Sequence, residues 1–169
     1  MPRSLKDFHG EASVFIDANV FLQHAFGSNS DSMEFLKRVE TENIRAYTSA
    51  LVLEEVAFKL VMQSASNFVE KINLDKLKRF LADAGNREKA LVPVKNYMGY
   101  IQMLKEMGLK IVDLTGGDIT VAIEKASANG LITADGAHLS VMERKGIKHI
   151  ATSDQDFGTL DDITQWSPL

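Results

Sequence analysis

Apolar residues along the chain fall into short runs that alternate with amphipathic segments. The run at 12–16 has the pattern of a buried strand, and it stops at Asp17. Further strands are predicted at 44–47, 110–114 and 147–151, with a weaker one at 163–166. The segment 51–63 instead repeats its apolar positions every four residues, which predicts a helix capped by Thr48 or Ser49.

Other amphipathic segments, with their start and stop signals, predict the remaining helices. These lie at 19–26, from 31 or 32 to 39, and at 75–84, 94–107, 119–128 and 134–145. Asp31 or Ser32 is expected to cap the second helix, Pro93 to start the one at 94, and Asn129-Gly130 to end the one at 119–128. Short strands alternating with helices predict an α/β fold, with a mostly parallel sheet of four or five strands and helices on both faces. All 169 residues are expected to form one domain.

Acidic residues follow the predicted strands at the positions where parallel sheets bind ligands. Asp17 follows the first strand, and Asp154 and Asp156 follow the fourth. Asp135 lies in the first turn of a helix, and Glu55 lies in the helix after the second strand. If the first and fourth strands are neighbours, as in a sheet of order 3-2-1-4, these five side chains can meet in one pocket. Such a pocket offers the all-oxygen ligands that Mg²⁺ and Mn²⁺ prefer.

Each of these acids also has a purely structural explanation. An Asp after a strand often only forms a turn or caps a helix, and Asp135 is favoured near a helix N-terminus by the helix dipole alone. Helical periodicity does not distinguish Glu55 from its neighbour Glu54. Asp113 also ends a strand, but no helix-opening polar pattern follows it immediately. Spacing by itself therefore leaves both interpretations open.

Composition narrows the function classes. The chain has 19 Lys and Arg against 23 Asp and Glu, whereas many nucleic-acid-binding proteins are basic. Bound cations would neutralise a cluster of acids, and the segment 75–87, predicted as a basic helix, carries Lys76, Lys78, Arg79 and Arg87. The chain has no cysteine, which excludes disulfides and thiolate metal sites and favours a cytoplasmic location. The four histidines lack zinc-ligand spacing, and neither a membrane span nor a secretion signal is predicted.

Four segments, in order along the chain, resemble the signatures of the PIN-domain family. They are the strand-Asp-Ala-Asn sequence at 14–22, the Thr-Ser pair with the helix start at 48–56, the segment 131–139, and Thr-x-Asp-x-Asp-Phe within 151–157. The resemblance places the family's acids on Asp17, Glu55, Asp135, Asp154 and Asp156, and it selects Glu55 over Glu54. The sequence departs from the pattern at Gly136, where the family commonly has Ala.

The resemblance implies a three-layer α/β/α fold with strand order 3-2-1-4-5. It also implies an endonuclease that acts on single-stranded or structured RNA with Mg²⁺ or Mn²⁺, and frequent homodimers. In the resulting hypothesis the metal is held by Asp17, Glu55, Asp135 and Asp154, with Asp156 in support, and a metal-activated water attacks phosphorus. The chain is similar to VapC-type toxins, which pair with an antitoxin protein, and equally to RNA-processing nucleases of the family.

Other interpretations are weaker or remain open. Haloacid-dehalogenase-like phosphatases need a second Asp where this chain has Asn19, and receiver domains need an acidic pair that Asp7 and Glu11, which precede the strand, do not supply. A non-catalytic PIN-like module that binds RNA or protein is a further alternative. Asn19 either caps its helix or bonds a ligand carboxylate, and Thr152 and Ser153 either form a turn or orient a water or phosphate. The histidines are interpreted as surface or packing residues.

Overall fold

Six strands form one sheet in the computed structural model, which describes residues 2–169. They are β1 (Arg3–Ser4), β2 (Val14–Ile16), β3 (Ala46–Ser49), β4 (Lys110–Val112), β5 (His149–Ala151) and β6 (Thr164–Ser167). All five pairings between neighbours are parallel, in the order β1-β6-β5-β2-β3-β4. The predicted α/β class and the order of the five predicted strands are confirmed. The edge strand β1 was not predicted, because two residues carry no alternating pattern.

The central strand β2 brings two distant parts of the chain to the same edge of the sheet. Val14 pairs with Ala46 of β3 on one side and with His149 of β5 on the other. Beyond the end of β2, the backbone N–H of Asp17 donates to the carbonyl of Ala151 at 3.1 Å. The first and fourth predicted strands, now β2 and β5, are therefore neighbours in the sheet, as the pocket hypothesis required. The residues that follow these two strands lie side by side.

Seven helices cover the sheet. They are α1 (Ala18–Ala25), α2 (Ser30–Thr41), α3 (Ala50–Ser66), α4 (Leu74–Ala82), α5 (Ala84–Glu106), α6 (Gly116–Asn129) and α7 (Thr133–Arg144). Helices α1 to α5 pack on one another, and α6 packs closely on α7. Right-handed crossovers between parallel strands place these two groups on opposite faces of the sheet. The result is the predicted three-layer arrangement.

The start of α2 differs from the prediction. Its cap is Asn29, whose side-chain oxygen accepts from the backbone N–H groups of Asp31 at 2.9 Å and Ser32 at 3.0 Å. Asp31 and Ser32, the predicted caps, are instead the second and third residues of the helix, and both are buried. Four consecutive residues, 29–32, are of types that cap helices, and tertiary burial decided between them.

The prediction that Pro93 starts a helix is wrong. Helix α5 begins at Ala84, where Asp83 caps it by accepting from the backbone N–H of Asn86 at 2.9 Å, and Pro93 lies inside the helix. Because proline has no N–H, one helical hydrogen bond is lost. The turns of α5 before Pro93 are stabilised instead by the Asp83 cap and by burial of Ala90. Arg87 therefore belongs to α5 and not to the helix of Lys76, so the predicted basic helix is divided between two helices.

Helices α6 and α7 approach each other unusually closely at Gly136. A Cβ atom at this position would overlap the backbone carbonyl oxygen of Ala122 in α6. Only a glycine fits here, which gives a physical reason for the departure from alanine. Gly130 ends α6 in the left-handed conformation (φ +69°), as predicted from Asn129-Gly130. The close contact sets the position of the first turn of α7, which carries Asp135.

The core is built from both helical layers and the sheet, and its largest fully buried side chains include Phe15, Phe21, Phe35 and Phe157. Within residues 2–169, none of the helices combines the length and the apolar character needed to cross a bilayer.

Candidate active site

Asp17 lies at the end of the central strand, and three donors hold its carboxylate. It is buried and caps α1, with Oδ1 accepting from the backbone N–H of Ala18 at 2.7 Å. Oδ2 accepts from Asn19 Nδ2 at 2.5 Å and from Thr152 Oγ1 at 2.6 Å. These bonds come from both α1 and the segment after β5, so the orientation of Asp17 is set by two separate parts of the chain.

Three further carboxylates lie close together beside this edge of the sheet. Asp135, Asp154 and Asp156 each offer an oxygen, and these oxygens lie within 4.8 Å of one another. Asp135 is buried in the first turn of α7, Asp154 is half-buried, and Asp156 is exposed. Carboxylates at this spacing repel one another in the absence of a cation, and oxygen donors of this kind suit a hard divalent ion.

The electrostatics connect this trio to the other two predicted acids. The pKa of Asp135 is raised to about 6, first by burial and then by the negative charges of nearby acids. In order of importance these are Asp154, Asp17, Asp156 and Glu55. The other four acids thus lie within electrostatic range of Asp135. A bound cation would have the opposite effect and favour the ionised form.

Glu55 lies in the second turn of α3, and it is less exposed than Glu54. Its side chain is 29% exposed, and Lys59 Nζ lies 2.5 Å from Oε1. The charge of Glu55 raises the pKa of both Asp17 and Asp135, whereas Glu54 is exposed. The geometry therefore favours Glu55, the residue that the family resemblance selected and helical periodicity left undecided.

A small polar network holds the loop that follows β5 against α1. Asn19 Nδ2 also donates to Thr152 Oγ1 at 2.8 Å, and Asn19 Oδ1 accepts from the backbone N–H of Ser153 at 3.0 Å. The backbone N–H of Asp154 donates to Thr152 Oγ1 at 3.0 Å. Asn19 does not cap its helix, because Asp17 does. Asn19 and Thr152 instead bond a candidate metal ligand and position the loop that carries Asp154.

Gln165 of β6 is a positioning residue that no motif in the sequence indicated. Its buried side chain donates from Nε2 to the backbone carbonyls of Asp154 at 2.7 Å and Thr152 at 3.2 Å. Its Oε1 has no hydrogen-bond partner, and a Cβ on Gly158 would lie only 2.7 Å from it. Gln165 therefore holds the loop that carries Asp154 through backbone atoms that Asn19 does not contact. It lies outside all four signature segments.

His138 is also closer to the site than the sequence suggested. It is buried one turn after Asp135 and packs on Phe15 with ring centroids 5.6 Å apart, as a packing residue would. However, its Nε2 lies 3.8 Å from Asp17 Oδ1. Burial lowers the pKa of His138 and raises the pKa of Asp17, so each group is held toward its uncharged form.

Two other acids lie apart from this cluster. Asp113, the strand-end residue without a helix-opening pattern, is exposed. Asp118 is buried, and both its oxygens accept from Arg144 at 2.9 Å while it completes a capping box with Thr115 at the start of α6. The Arg144 hydrogen bonds hold the pKa of Asp118 well below its usual range. Its role is to join α6 to α7.

Three cavities of the molecule, of about 530, 470 and 440 Å³, lie away from this site, because none of the five acids lines them.

Comparisons with known proteins agree with this architecture. Residues 14–163 match the PIN domain family, while no curated protein matches the chain. The fold is similar to VapBC2 from Rickettsia felis bound to a DNA fragment from their promoter, with a TM-score of 0.56 and 12% identity over 92% of this chain and 98% of that one. It is also similar to the Sarcin-Ricin loop cleaving toxin VapC20 of Mycobacterium tuberculosis (TM-score 0.52, 15% identity, 86% and 92% covered). A toxin–antitoxin complex from Klebsiella pneumoniae gives a TM-score of 0.55 at 11% identity, with 89% and 95% covered. At such identities the likeness concerns the fold.

Proposed function

The chain belongs to the PIN-domain family, and from this premise we propose that it is a metal-dependent endoribonuclease that hydrolyses RNA phosphodiester bonds. The observation that carries the proposal is the cluster of Asp135, Asp154 and Asp156, whose oxygens lie within 4.8 Å of one another. The negative charges of Asp17 and Glu55 also act on Asp135. Among the described residues, one lysine forms an ion pair with any of the five acids, namely Lys59 with Glu55. The remaining negative charge calls for cations.

The residues present fit a divalent metal ion. Asp135, Asp154 and Asp156 form one close set of oxygen donors. The pKa of Asp135 is raised first by burial and then by negative charge, which a cation would offset. We propose Mg²⁺ or Mn²⁺, with Asp17, Glu55, Asp135 and Asp154 as ligands. The position of Asp156 next to two of these residues supports a direct part for it as well.

When bound, divalent ions would supply Lewis acidity, which activates water and offsets charge on the phosphodiester. In the hydrolysis, the oxygen of water attacks phosphorus, the bond to the leaving oxygen breaks, and one water proton ends on that oxygen. The chain's own contribution is orientation. Asn19 and Thr152 hold Asp17 by hydrogen bonds, and Gln165 holds the backbone on either side of Ser153. The ligand set is therefore positioned before substrate arrives, which limits reorganisation during the reaction.

The test is cleavage of RNA oligonucleotides with Mn²⁺ by the wild type, Asp17→Asn and Asp135→Asn. Asp113→Asn is the matched control, because it removes an exposed carboxylate outside the cluster. We expect cleavage by the wild type and the control, and its loss in the other two variants. Equal cleavage by the wild type and Asp17→Asn would identify a contaminating nuclease or a wrong site.

The alternative is a non-catalytic PIN-like module that binds RNA or protein. The presence of all five acids argues against it, because a scaffold has no use for a costly cluster of like charges. Tight RNA binding without cleavage in either Mn²⁺ or Mg²⁺ would favour the module.

We further propose that the protein acts as a cytoplasmic homodimer and as the toxin of a toxin–antitoxin pair. This rests on the family and on the toxin–antitoxin complex among the structures of similar fold. An RNA-processing role is the competing assignment within the family. Growth arrest on expression, relieved by co-expression of a small protein encoded next to it, would favour the toxin. If the active enzyme is expressed without growth arrest, RNA processing is favoured. Light scattering tests the homodimer by measuring the molecular mass in solution.

A further inference from the structure

An aromatic pair with one exposed ring lies just beyond the C-terminus of α3. Phe68 is 55% exposed and stacks on Phe80 of α4, with ring centroids 5.8 Å apart and planes inclined by 17°. Lys89 Nζ of α5 lies 5.5 Å from the centre of the Phe68 ring, and Lys76 of α4 reaches the backbone carbonyl of Glu70 close by, at 2.8 Å. We call Phe68, Phe80, Lys76 and Lys89 the aromatic–basic patch.

A cavity of about 440 Å³ opens beside Phe68. Its lining is formed by Phe68, Gly85, Glu88, Lys89, Val92 and Pro93. The walls are thus an aromatic ring and two aliphatic side chains, with one cation and one carboxylate among them. A flat apolar group with polar edges matches these walls, because its faces contact the ring and the aliphatic groups while its edges meet the charged ones.

Charge in this region is opposite to that of the whole chain. The segment 68–95 has seven Lys and Arg against four Asp and Glu, which leaves twelve against nineteen elsewhere. Within the described residues, none of these seven cations lies within 4.0 Å of a carboxylate. The positive charge of the patch is therefore available to an anionic partner, on a molecule that is otherwise acidic.

We propose that the aromatic–basic patch binds single-stranded RNA, with one base in the cavity against Phe68 and the backbone phosphates beside Lys76 and Lys89. The proposal rests on the ribonuclease function proposed above. Aromatic rings that stack on bases, combined with cations that contact phosphates, are the means by which proteins bind unpaired strands. A protein partner fits less well, because lysine is depleted from the cores of protein–protein interfaces.

The patch is connected to the candidate active site through α3. Glu55 and Ser66 are eleven residues apart on this helix, which corresponds to roughly 17 Å, and Phe68 follows two residues later. An RNA strand that lies on the patch reaches the acids only after several nucleotides. The patch therefore contributes to the affinity for longer substrates and has no part in the chemical step.

The first test is fluorescence anisotropy with a labelled single-stranded RNA oligonucleotide in EDTA, where no cleavage occurs. We expect Phe68→Ala to weaken binding about tenfold, as loss of one base–aromatic stack does. Phe68→Leu, which stays apolar but cannot stack, should bind as weakly, and Phe68→Trp should bind at least as tightly as the wild type. Ile123→Ala is the control, because Ile123 is a similarly exposed apolar residue (57%) on α6, in the other helical layer.

The second test concerns the cations. The double variant Lys76→Ala/Lys89→Ala should lower the slope of log affinity against log salt concentration by about 1.4 in magnitude, since each phosphate contact on a single strand contributes about 0.7. The matched control Lys105→Ala/Lys145→Ala removes the same charge from two exposed positions outside the patch and should leave the slope unchanged. With Mn²⁺, Phe68→Ala should raise KM for the long oligonucleotide and leave kcat unchanged.

The outcomes separate this proposal from the function on which it rests. Unchanged RNA affinity in Phe68→Ala and in the lysine double variant would overturn the proposal that the patch binds RNA. Wild-type RNA affinity in Phe68→Leu would overturn it as well. A change in molecular mass by light scattering with unchanged RNA affinity assigns the surface to a protein partner and also overturns it. A wild type that binds RNA through the patch without cutting it contradicts the nuclease alone, and a wild type that binds no RNA contradicts both.

Discussion

Thr152 Oγ1 donates a 2.6 Å hydrogen bond to Asp17 Oδ2, although 135 positions separate the two residues in the sequence. The same oxygen accepts from Asn19 Nδ2 and from the backbone N–H of Asp154. One fully buried hydroxyl thus joins the end of β2, the start of α1 and the acidic loop after β5.

Thr152→Val removes this hydroxyl with little change in shape. Asp17 then loses a donor and the N–H of Asp154 loses its acceptor, so we expect a 10- to 100-fold loss of kcat/KM or of Mn²⁺ affinity, as for other residues that orient metal ligands. The unpaired N–H should also lower stability by about 1–3 kcal/mol. RNA cleavage and calorimetric Mn²⁺ titration measure the two effects. Thr120→Val, on an exposed turn of α6, is the control, and equal activity of both variants would refute the role of Thr152.

Gln165→Leu tests whether the hydrogen bonds from Gln165 hold the loop that carries Asp154. Without the two donated hydrogen bonds, the backbone carbonyls of Thr152 and Asp154 lose their partner and the carboxylate of Asp154 loses its fixed position. We expect Mn²⁺ affinity to fall about tenfold, at the lower end of outer-shell effects. Gln102→Leu changes the same residue type at an exposed site of α5 and should leave Mn²⁺ affinity unaltered. Wild-type Mn²⁺ affinity in Gln165→Leu would show that the loop keeps its shape without the Gln165 hydrogen bonds.

Gly136→Ala should be destabilising, because the added methyl overlaps the carbonyl of Ala122 and forces α6 and α7 apart. Overpacking of this kind costs about 1–3 kcal/mol, measured as the change in free energy of unfolding in urea. Gly99→Ala is the opposite case. It lies within α5 with no atom close to the new Cβ, and a helical Gly→Ala change stabilises by up to about 1 kcal/mol. Equal stability of the two variants would contradict the close approach of α6 and α7.

The pKa of Asp135 predicts how pH acts on the metal-free protein. The folded pKa, about 6, lies above the unfolded value of 3.8, so the protonated carboxyl favours folding. That contribution is present in full below pH 4 and is lost as pH rises through 6. Asp135→Asn should therefore increase the free energy of unfolding of the EDTA-treated protein at pH 7, by on the order of 2–3 kcal/mol. The melting temperature should rise accordingly.

Mn²⁺ should reverse this ranking. The ion stabilises the wild type by binding its ionised carboxylates, and it should do little for Asp135→Asn. Thermal melts at pH 4.5 and pH 7, each with EDTA and with Mn²⁺, measure both effects. A melting temperature for Asp135→Asn at pH 7 that is no higher than that of the EDTA-treated wild type would contradict the strained acidic cluster.

Local sequence was sufficient for the order of the elements and for the candidates at the sheet edge. The apolar run that stops at Asp17 and the alternation of strands with helices carry the parallel α/β class, because burial on both faces of a strand requires continuous apolar residues. Four signature segments then indicated Asp17, Glu55, Asp135, Asp154 and Asp156 through a resemblance to the PIN-domain family. The metal and RNA roles of these residues stay predictions.

Contacts between distant segments decided the rest. Periodicity could not separate Glu55 from Glu54, since both flank the apolar stripe of α3. The placement of that helix brings the charge of Glu55 close enough to raise the pKa of Asp17. Pro93 signals a helix start locally, yet packing and the Asp83 cap extend α5 across it. Gln165 and Gly136 act on atoms of other elements. Hydrogen bonds and steric contacts across the fold depend on which surfaces meet, and that depends on the packing of the whole chain.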